Sequence, residues 1–232
     1  MRLEPGELGN LVRKWERVLK SMELEAYRSL FSVGPKELSI LAINGFQAMQ
    51  KYEELSELLA LVSTLAPERI LEIGVGKGGT SWAWSKLSSV KQIIAVDLPN
   101  GPWGGGPTEE SIKYIKENSN CPYIFFPGNS HEDSTFNFVA TELGDHKLDF
   151  LMIDGDHSYE GVKADYERYK TLVRPGGIIA LHDICTHETS SGCEVEKFWK
   201  ELRSTVPGAY ISIIHDPSTW GGIGITWNPL GK

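Results

Sequence analysis

Five residues whose types could do chemistry fall at the ends of two apolar runs. Asp154, Asp156 and His157 close the run Leu148–Ile153, and His182-Asp183 closes the run Gly177–Leu181. An imidazole with an ordinary pKa near 6.5 can take a proton at neutral pH. Carboxylates beside it can orient it or supply oxygen ligands to a divalent cation. Asp154 and Asp183 suit Mg²⁺; His182 in the same set is a poor Mg²⁺ ligand but an acceptable one for Mn²⁺, Fe²⁺ or Zn²⁺. His187, Glu188 and Cys185 lie just downstream and could join, although a surface loop is the plainer reading. A second cluster of signals is Leu71-Glu72-Ile73-Gly74-Val75-Gly76-Lys77-Gly78-Gly79-Thr80-Ser81, with Asp97 closing the next apolar run. Glycines there permit a sharp turn and close approach of the backbone to a ligand, and the free N–H groups of a helix start favour anionic groups.

For these residues to meet, the chain must bring several strand ends to one edge. Short apolar runs predict strands at Arg69–Ile73, Gln92–Val96, Tyr123–Phe126, Leu148–Ile153 and Gly177–Leu181. Helical patterns near Thr80–Leu87, Glu109–Asn118, Ser134–Leu143 and Tyr159–Leu172 separate them. That alternation implies βαβ units and a parallel sheet covered on both faces, whose carboxyl ends open into one crevice. After a helix near Val195–Ser204, the runs Tyr210–Ile214 and Ile223–Trp227 leave no room for a helix between them and must pair antiparallel. The expectation is an α/β, Rossmann-like seven-stranded sheet, mostly parallel with the last strand antiparallel, and an N-terminal helical extension.

That extension is expected over 1–66, with the main domain over 67–232. Its first stripe runs Leu8, Leu11, Val12, Trp15, Val18, Leu19 and Met22. After a break at Gly34-Pro35, a second helix at Lys51–Leu65 carries Leu55, Leu58, Leu59 and Val62 on one face. Such stripes pack on the main domain, cover a site or build a homodimer.

Composition excludes several classes. The 232 residues carry 23 basic and 31 acidic side chains, a net charge of −8, which argues against a nucleic-acid or anionic-membrane surface. No apolar run approaches a membrane span, and the stretch MRLEPGELGN does not have the basic-then-apolar pattern expected of a secretory leader. Three cysteines without C-x-x-C spacing suggest neither a disulfide framework nor a zinc knuckle. A cytoplasmic location is expected.

The glycine loop alone reads two ways. Gly74, Gly76 and Gly79 match the dinucleotide pattern G-x-G-x-x-G, whereas Glu72, Gly74, Gly76 and Gly78 match E-x-G-x-G-x-G, typical of S-adenosylmethionine (SAM) sites; Asp97 suits either, as a carboxylate for ribose hydroxyls. The rest of the chain separates the readings. Asp154-Gly-Asp-His-Ser-Tyr-Glu160, then a helix, then Leu172-Val-Arg-Pro-Gly-Gly177 and a strand ending in Leu181-His-Asp183 resemble class I SAM-dependent methyltransferases. The likeness is to the branch with macrolide-sugar O-methyltransferases and cephalosporin-hydroxylase-like proteins, over about Leu55 to Trp227.

The resemblance implies SAM as cofactor, contacted at Glu72, Gly74, Gly76, Gly78, Thr80, Ser81, Asp97, Leu98, Asn129, Ser130, Asp154 and Gly155. It implies methylation of a hydroxyl on a small molecule or sugar, with His157 as base and Asp154 orienting the acceptor. It also implies a divalent metal, Mg²⁺ or Mn²⁺, at Asp154, His182 and Asp183. This chain departs from the family there, with His182-Asp183 where relatives place two adjacent acids, so that either the metal differs, or His182 is the base, or there is no metal. Two rivals are a SAM- or S-adenosylhomocysteine-binding protein without catalysis, and a nicotinamide oxidoreductase; the latter needs a Tyr-x-x-x-Lys pair, and Tyr166 and Lys170 have that spacing but fall in the helix before Pro175 rather than beside the expected crevice. Irregular loops at Leu98–Thr108, with Trp103, and at Thr186–Gly192 are expected around the crevice. Trp82, Trp84 and Trp199 are expected in the core.

Overall fold

Strand formation follows the branched and aromatic residues of each run. In the computed structural model, which describes residues 34–101, 106–205 and 208–228, β1 (Arg69–Ile73), β2 (Gln92–Asp97), β3 (Tyr123–Pro127), β4 (Leu148–Ile153) and β5 (Val173–His182) pair in parallel. β6 (Tyr210–Ile213) and β7 (Ile223–Trp227) form an antiparallel pair, and β7 adds antiparallel to β5. The order is β3-β2-β1-β4-β5-β7-β6. Because the order reverses between β1 and β4, the helices that follow these strands diverge there and leave a crevice at their carboxyl ends.

Alternation along the strands divides the core. Ile70, Ile93, Ala95, Phe150, Met152, Ile178 and Ala180 face one layer, with α1 (Pro35–Phe46), α2 (Tyr52–Leu65), α3 (Gly79–Trp84) and Ile115 of α4 (Glu109–Asn118). Leu71, Ile73, Ile94, Val96, Leu151, Ile153, Ile179 and Leu181 face the other, with α5 (Asp133–Leu143), α6 (Tyr159–Tyr169) and α7 (Val195–Thr205). Each fully buried Leu or Ile contributes about 1.5–3 kcal/mol relative to exposure, so Leu55, Leu58, Leu59 and Val62 bind α2 firmly to the sheet.

Helix α1 is a correction to the sequence reading, which took Gly34-Pro35 only as a break. Proline at a first helical position loses an N–H that has no intrahelical partner anyway, and Pro35 starts the helix. Its Phe46 ring stacks on Trp82 at 4.4 Å. The stripe Leu8–Met22 lies outside the described residues. β5 begins four residues earlier than expected, taking in Pro175-Gly176-Gly177; a register shift between Leu148 and Phe150 of β4 absorbs the irregularity. Trp82, Trp84 and Trp199 are core residues, as expected. Among the described residues, no helix is long and apolar enough to cross a membrane.

Candidate active site

The loop after β1 is shaped by its contacts. Gly74 sits at φ +83°, and a Cβ there would lie 1.9 Å from the Asp154 carbonyl oxygen, so β1 and β4 can meet at this height only through glycine. Gly76, at φ +54°, would present a Cβ to open space with nothing within 4 Å. Gly78 caps α3 at φ +92° against Ile115 and Pro107. Gly79 has a packing role instead: its missing side chain admits Ala48, whose backbone N would lie 2.5 Å from a Cβ.

Asp97, at the end of β2, accepts the Val75 and Gly76 amides on one oxygen, each at 2.7 Å. The loop crest is thus tied to the carboxylate expected to face a ribose. Burial raises the Asp97 pKa against those amide bonds. Leu98 follows, half exposed at the rim. Trp103 lies outside the described residues.

Glu72 is buried at 1% exposure, so it is not a solvated strand-end acid. Its carboxylate takes a very short hydrogen bond from Ser81, which in turn accepts from the Tyr123 hydroxyl at 3.3 Å. Thr80 beside it is also buried. Burial outweighs these bonds and pushes Glu72 up to about 7. A carboxylate held this far from water, with neutral donors alone, is short of one positive partner.

After β3, Asn129 turns its own carbonyl oxygen onto the His131 N–H at 3.0 Å. Ser130 is buried, and its backbone oxygen takes the Tyr169 hydroxyl at 2.9 Å. These two residues reach the same edge of the sheet as Asp97, with the turn already fixed internally. The sequence reading missed what lies behind them. Asp165 of α6 is fully buried, 3.4 Å from His131 Nε2 and close under Gly155. Asp165 comes first in holding the His131 pKa above its ordinary value.

The ends of β4 and β5 bring the remaining residues together. Asp154 Oδ1 meets His157 Nε2 at 3.1 Å and His182 Nδ1 at 2.9 Å. Asp183 Oδ2 meets His157 Nδ1 at 3.3 Å, and Asp183 Oδ1 meets His187 Nε2 at 3.3 Å. The result is a chain of alternating imidazoles and carboxylates: His182, Asp154, His157, Asp183, His187. Asp183 holds φ +65°, a conformation uncommon for a residue with a side chain and typical of sites where geometry is imposed. Asp154 is opposed by burial but held down at about 2 by His182 and His157. Burial works against charged His182 too, yet Asp154 lifts it to about 9. His157 is raised in the same way by Asp154 and Asp183.

Gln50, between α1 and α2, was not foreseen. Its Nε2 donates to Asp154 Oδ2 at 2.8 Å, and nothing local in the sequence ties it to a residue 104 positions away. Trp220, on the β6–β7 loop, stands edge-to-face against His182 at 6.2 Å. Glu54 of α2 fixes that loop by accepting the Gly222 amide at 2.7 Å. Of the downstream candidates, His187 joins the cluster, Cys185 is buried in the core and Glu188 is exposed. Tyr166 and Lys170 lie away from the crevice, with Tyr166 packed against Phe198.

Residues 71–184 match the family described as methyltransferase domain. An uncharacterized protein, y4gI of Sinorhizobium fredii, is 28% identical over 151 residues, covering 63% of this chain and 16% of that protein. The chain spans half or less of the length of the curated relatives it matches. Among solved structures, the O-methyltransferase TomG of Streptomyces achromogenes, in complex with SAM, superposes with TM-score 0.58 at 14% identity, covering 89% of this chain and 95% of that one. MycE, a methyltransferase of the mycinamycin biosynthetic pathway in complex with Mg and S-adenosylhomocysteine, superposes with TM-score 0.57 at 15% identity, covering 84% of this chain and 53% of that one.

Proposed function

We propose that this chain, which carries a methyltransferase domain over residues 71–184 on the class I fold, transfers a methyl group from SAM to a hydroxyl of a small molecule or sugar. The observation that carries the reading is the pairing of an open glycine crest at Gly76 with Asp97 on one side and the buried, cation-lacking Glu72 on the other. SAM has the matching parts: a ribose diol for the Asp97 carboxylate and an ammonium group for Glu72. Thr80, Ser81 and Gly78 shape the helix start, Leu98 lies at the rim, and Asn129, Ser130 and Gly155 complete the cofactor wall.

Bound SAM supplies a methyl group made electrophilic by its sulfonium. The protein must remove the acceptor proton, because an alcohol is a weak nucleophile until its O–H bond loosens. His157 does this at Nδ1. With Nε2–H donated to Asp154, Nδ1 carries the lone pair, and Asp183 stabilises the imidazolium that forms. Asp154, clamped by Gln50 and His182, keeps the ring in that tautomer.

A divalent ion could be held by Asp154, His182 and Asp183, whose donor atoms lie within 4.8 Å of one another, and would polarise the acceptor oxygen. Gln50, His157 and His182 already occupy the Asp154 oxygens, so the ion would displace existing hydrogen bonds. The His182 nitrogen fits Mn²⁺ better than Mg²⁺. We also take residues 1–66 as an N-terminal extension of the main domain, place the three free cysteines in the reducing cytoplasm, and propose that the chain forms a homodimer.

The test is transfer of labelled methyl from SAM to a pool of hydroxylated small molecules and sugars. Label should appear with the wild-type chain and fall sharply with His157→Gln. S-adenosylhomocysteine binding without label transfer to any pool would favour a non-catalytic binding protein.

A further inference from the structure

The turn before α7 brings a thiol to the base. Gly192, at φ +71°, reverses the chain after a short 3-10 turn at Thr189–Ser191. The Cys193 amide then donates to Ser191 Oγ at 3.1 Å, and the Glu194 amide donates to the His157 carbonyl oxygen at 2.8 Å. Cys193 Sγ rests 3.9 Å from the Asp183 carbonyl oxygen. One nitrogen, one oxygen and one sulfur donor thereby converge: a ring nitrogen of His157, an Asp183 carboxylate oxygen and Cys193 Sγ all lie within 4.8 Å of one another, and His157 Nδ1 is the nitrogen that faces Asp183. Ligands of a tetrahedral zinc, at about 2.0–2.3 Å from the ion, stand roughly 3.3–3.8 Å apart. The His157–Asp183 separation of 3.3 Å already has that value.

We propose that His157, Asp183 and Cys193 form a site for a soft divalent cation of the zinc class, and that filling it silences the base. The donor set selects the ion: a thiolate with an imidazole favours Zn²⁺ over Mg²⁺. The surroundings match a zinc ligand shell as well. A zinc-bound imidazole characteristically donates its other N–H to a carboxylate, which fixes its tautomer, and His157 Nε2 meets Asp154 in that way. In neutral His157 this tautomer aims the Nδ1 lone pair at Asp183 Oδ2, an arrangement a bridging cation satisfies on both sides. His187, on the other Asp183 oxygen, orients the carboxylate. On binding, the Cys193 thiol gives its proton to solvent as the Zn–S bond forms, and the Nδ1 lone pair is taken by the ion. The site stands on geometry alone, whereas the silencing rests on His157 being the methyl-transfer base.

The experiment uses the full chain stripped with EDTA. Calorimetric titration with ZnCl₂ and MgCl₂ is run on wild type, Cys193→Ser and Cys185→Ser, and CoCl₂ is added to each for absorption spectra. Wild type and Cys185→Ser should take one Zn²⁺ with micromolar or tighter affinity and ignore micromolar Mg²⁺. Cys193→Ser should bind at least about 100-fold more weakly, beyond the 10–100-fold that loss of an outer-shell partner costs. The cobalt adduct should show a thiolate-to-metal charge-transfer band that Cys193→Ser lacks. Equal zinc affinity in wild type and Cys193→Ser, or a wild-type cobalt spectrum without that band, would overturn the site. Zinc that binds without lowering methyl transfer would overturn the silencing. S-adenosylhomocysteine melting shifts, read in parallel, report on the methyltransferase reading separately.

Discussion

Glu72 gives the account its sharpest energetic consequence. Burial lifts its pKa from 4.5 to about 7, and each pKa unit is worth 1.36 kcal/mol, so ionised Glu72 costs the cofactor-free fold about 3 kcal/mol. The sign follows from proton counts. Between pH 4.5 and 7 the folded chain binds more protons than the unfolded chain, so stability falls as pH rises through that window and levels off above it. Glu72→Gln removes the titration. Whatever the amide gains or loses in packing is independent of pH, and the other ionisable groups act alike in both proteins. The difference in melting temperature, variant minus wild type, should therefore widen from pH 4.5 to pH 8. For a chain of this size about 3 kcal/mol corresponds to roughly 6–12 °C. Thermal melting of both proteins across that range, without cofactor, checks it. Parallel curves would refute the reasoning, because they would mean that Glu72 titrates like an exposed carboxylate and has no unmet need for a cation. S-adenosylhomocysteine should stabilise the wild type at pH 8 far more than the variant, since its ammonium supplies that partner.

Two other perturbations test separate parts of the site. Removing the imidazole with His131→Leu strands the fully buried Asp165; the loss should approach the low end of the 3–5 kcal/mol typical of broken buried pairs, since His131 is partly exposed, and adding Asp165→Asn should recover most of it in urea denaturation, whereas a double variant no better than the single would contradict the pairing. Methyl transfer should rise with pH through a limb on the alkaline side of 6.5, because His157 must lose its proton to act and Asp154 and Asp183 hold that proton on. His157→Gln should abolish the limb and lower the rate by about 10²–10⁴-fold, and a wild-type profile flat from pH 6 to 9 would exclude His157 as base.

Local pattern made much of this legible. Strands β1, β4 and β7 and helix α4 have the bounds their apolar spacing predicts, because branched runs flanked by Gly, Asp or Asn have few other solutions. Gly74, Asp97, Asp154, His157, His182 and Asp183 were visible as strand-end residues, and a parallel sheet necessarily gathers strand ends. What stayed hidden was long-range. Gln50 reaches Asp154 from outside the repeating βα pattern, and Trp220 meets His182 only because the β6–β7 loop is pinned to Glu54. Asp165 reads as one more charge on a helix until its face turns inward beneath Gly155. Cys193 gained meaning only when the Gly192 turn set it beside His157.

Calorimetric titration with S-adenosylhomocysteine and with NAD⁺ decides whether the Gly74–Gly76 loop, Glu72 and Asp97 hold SAM as proposed. The account predicts one S-adenosylhomocysteine per chain, no NAD⁺, and about 10- to 150-fold weaker binding in Asp97→Ala, as expected for lost hydrogen bonds to a charged acceptor. NAD⁺ binding in place of S-adenosylhomocysteine would contradict it and make the loop a dinucleotide site.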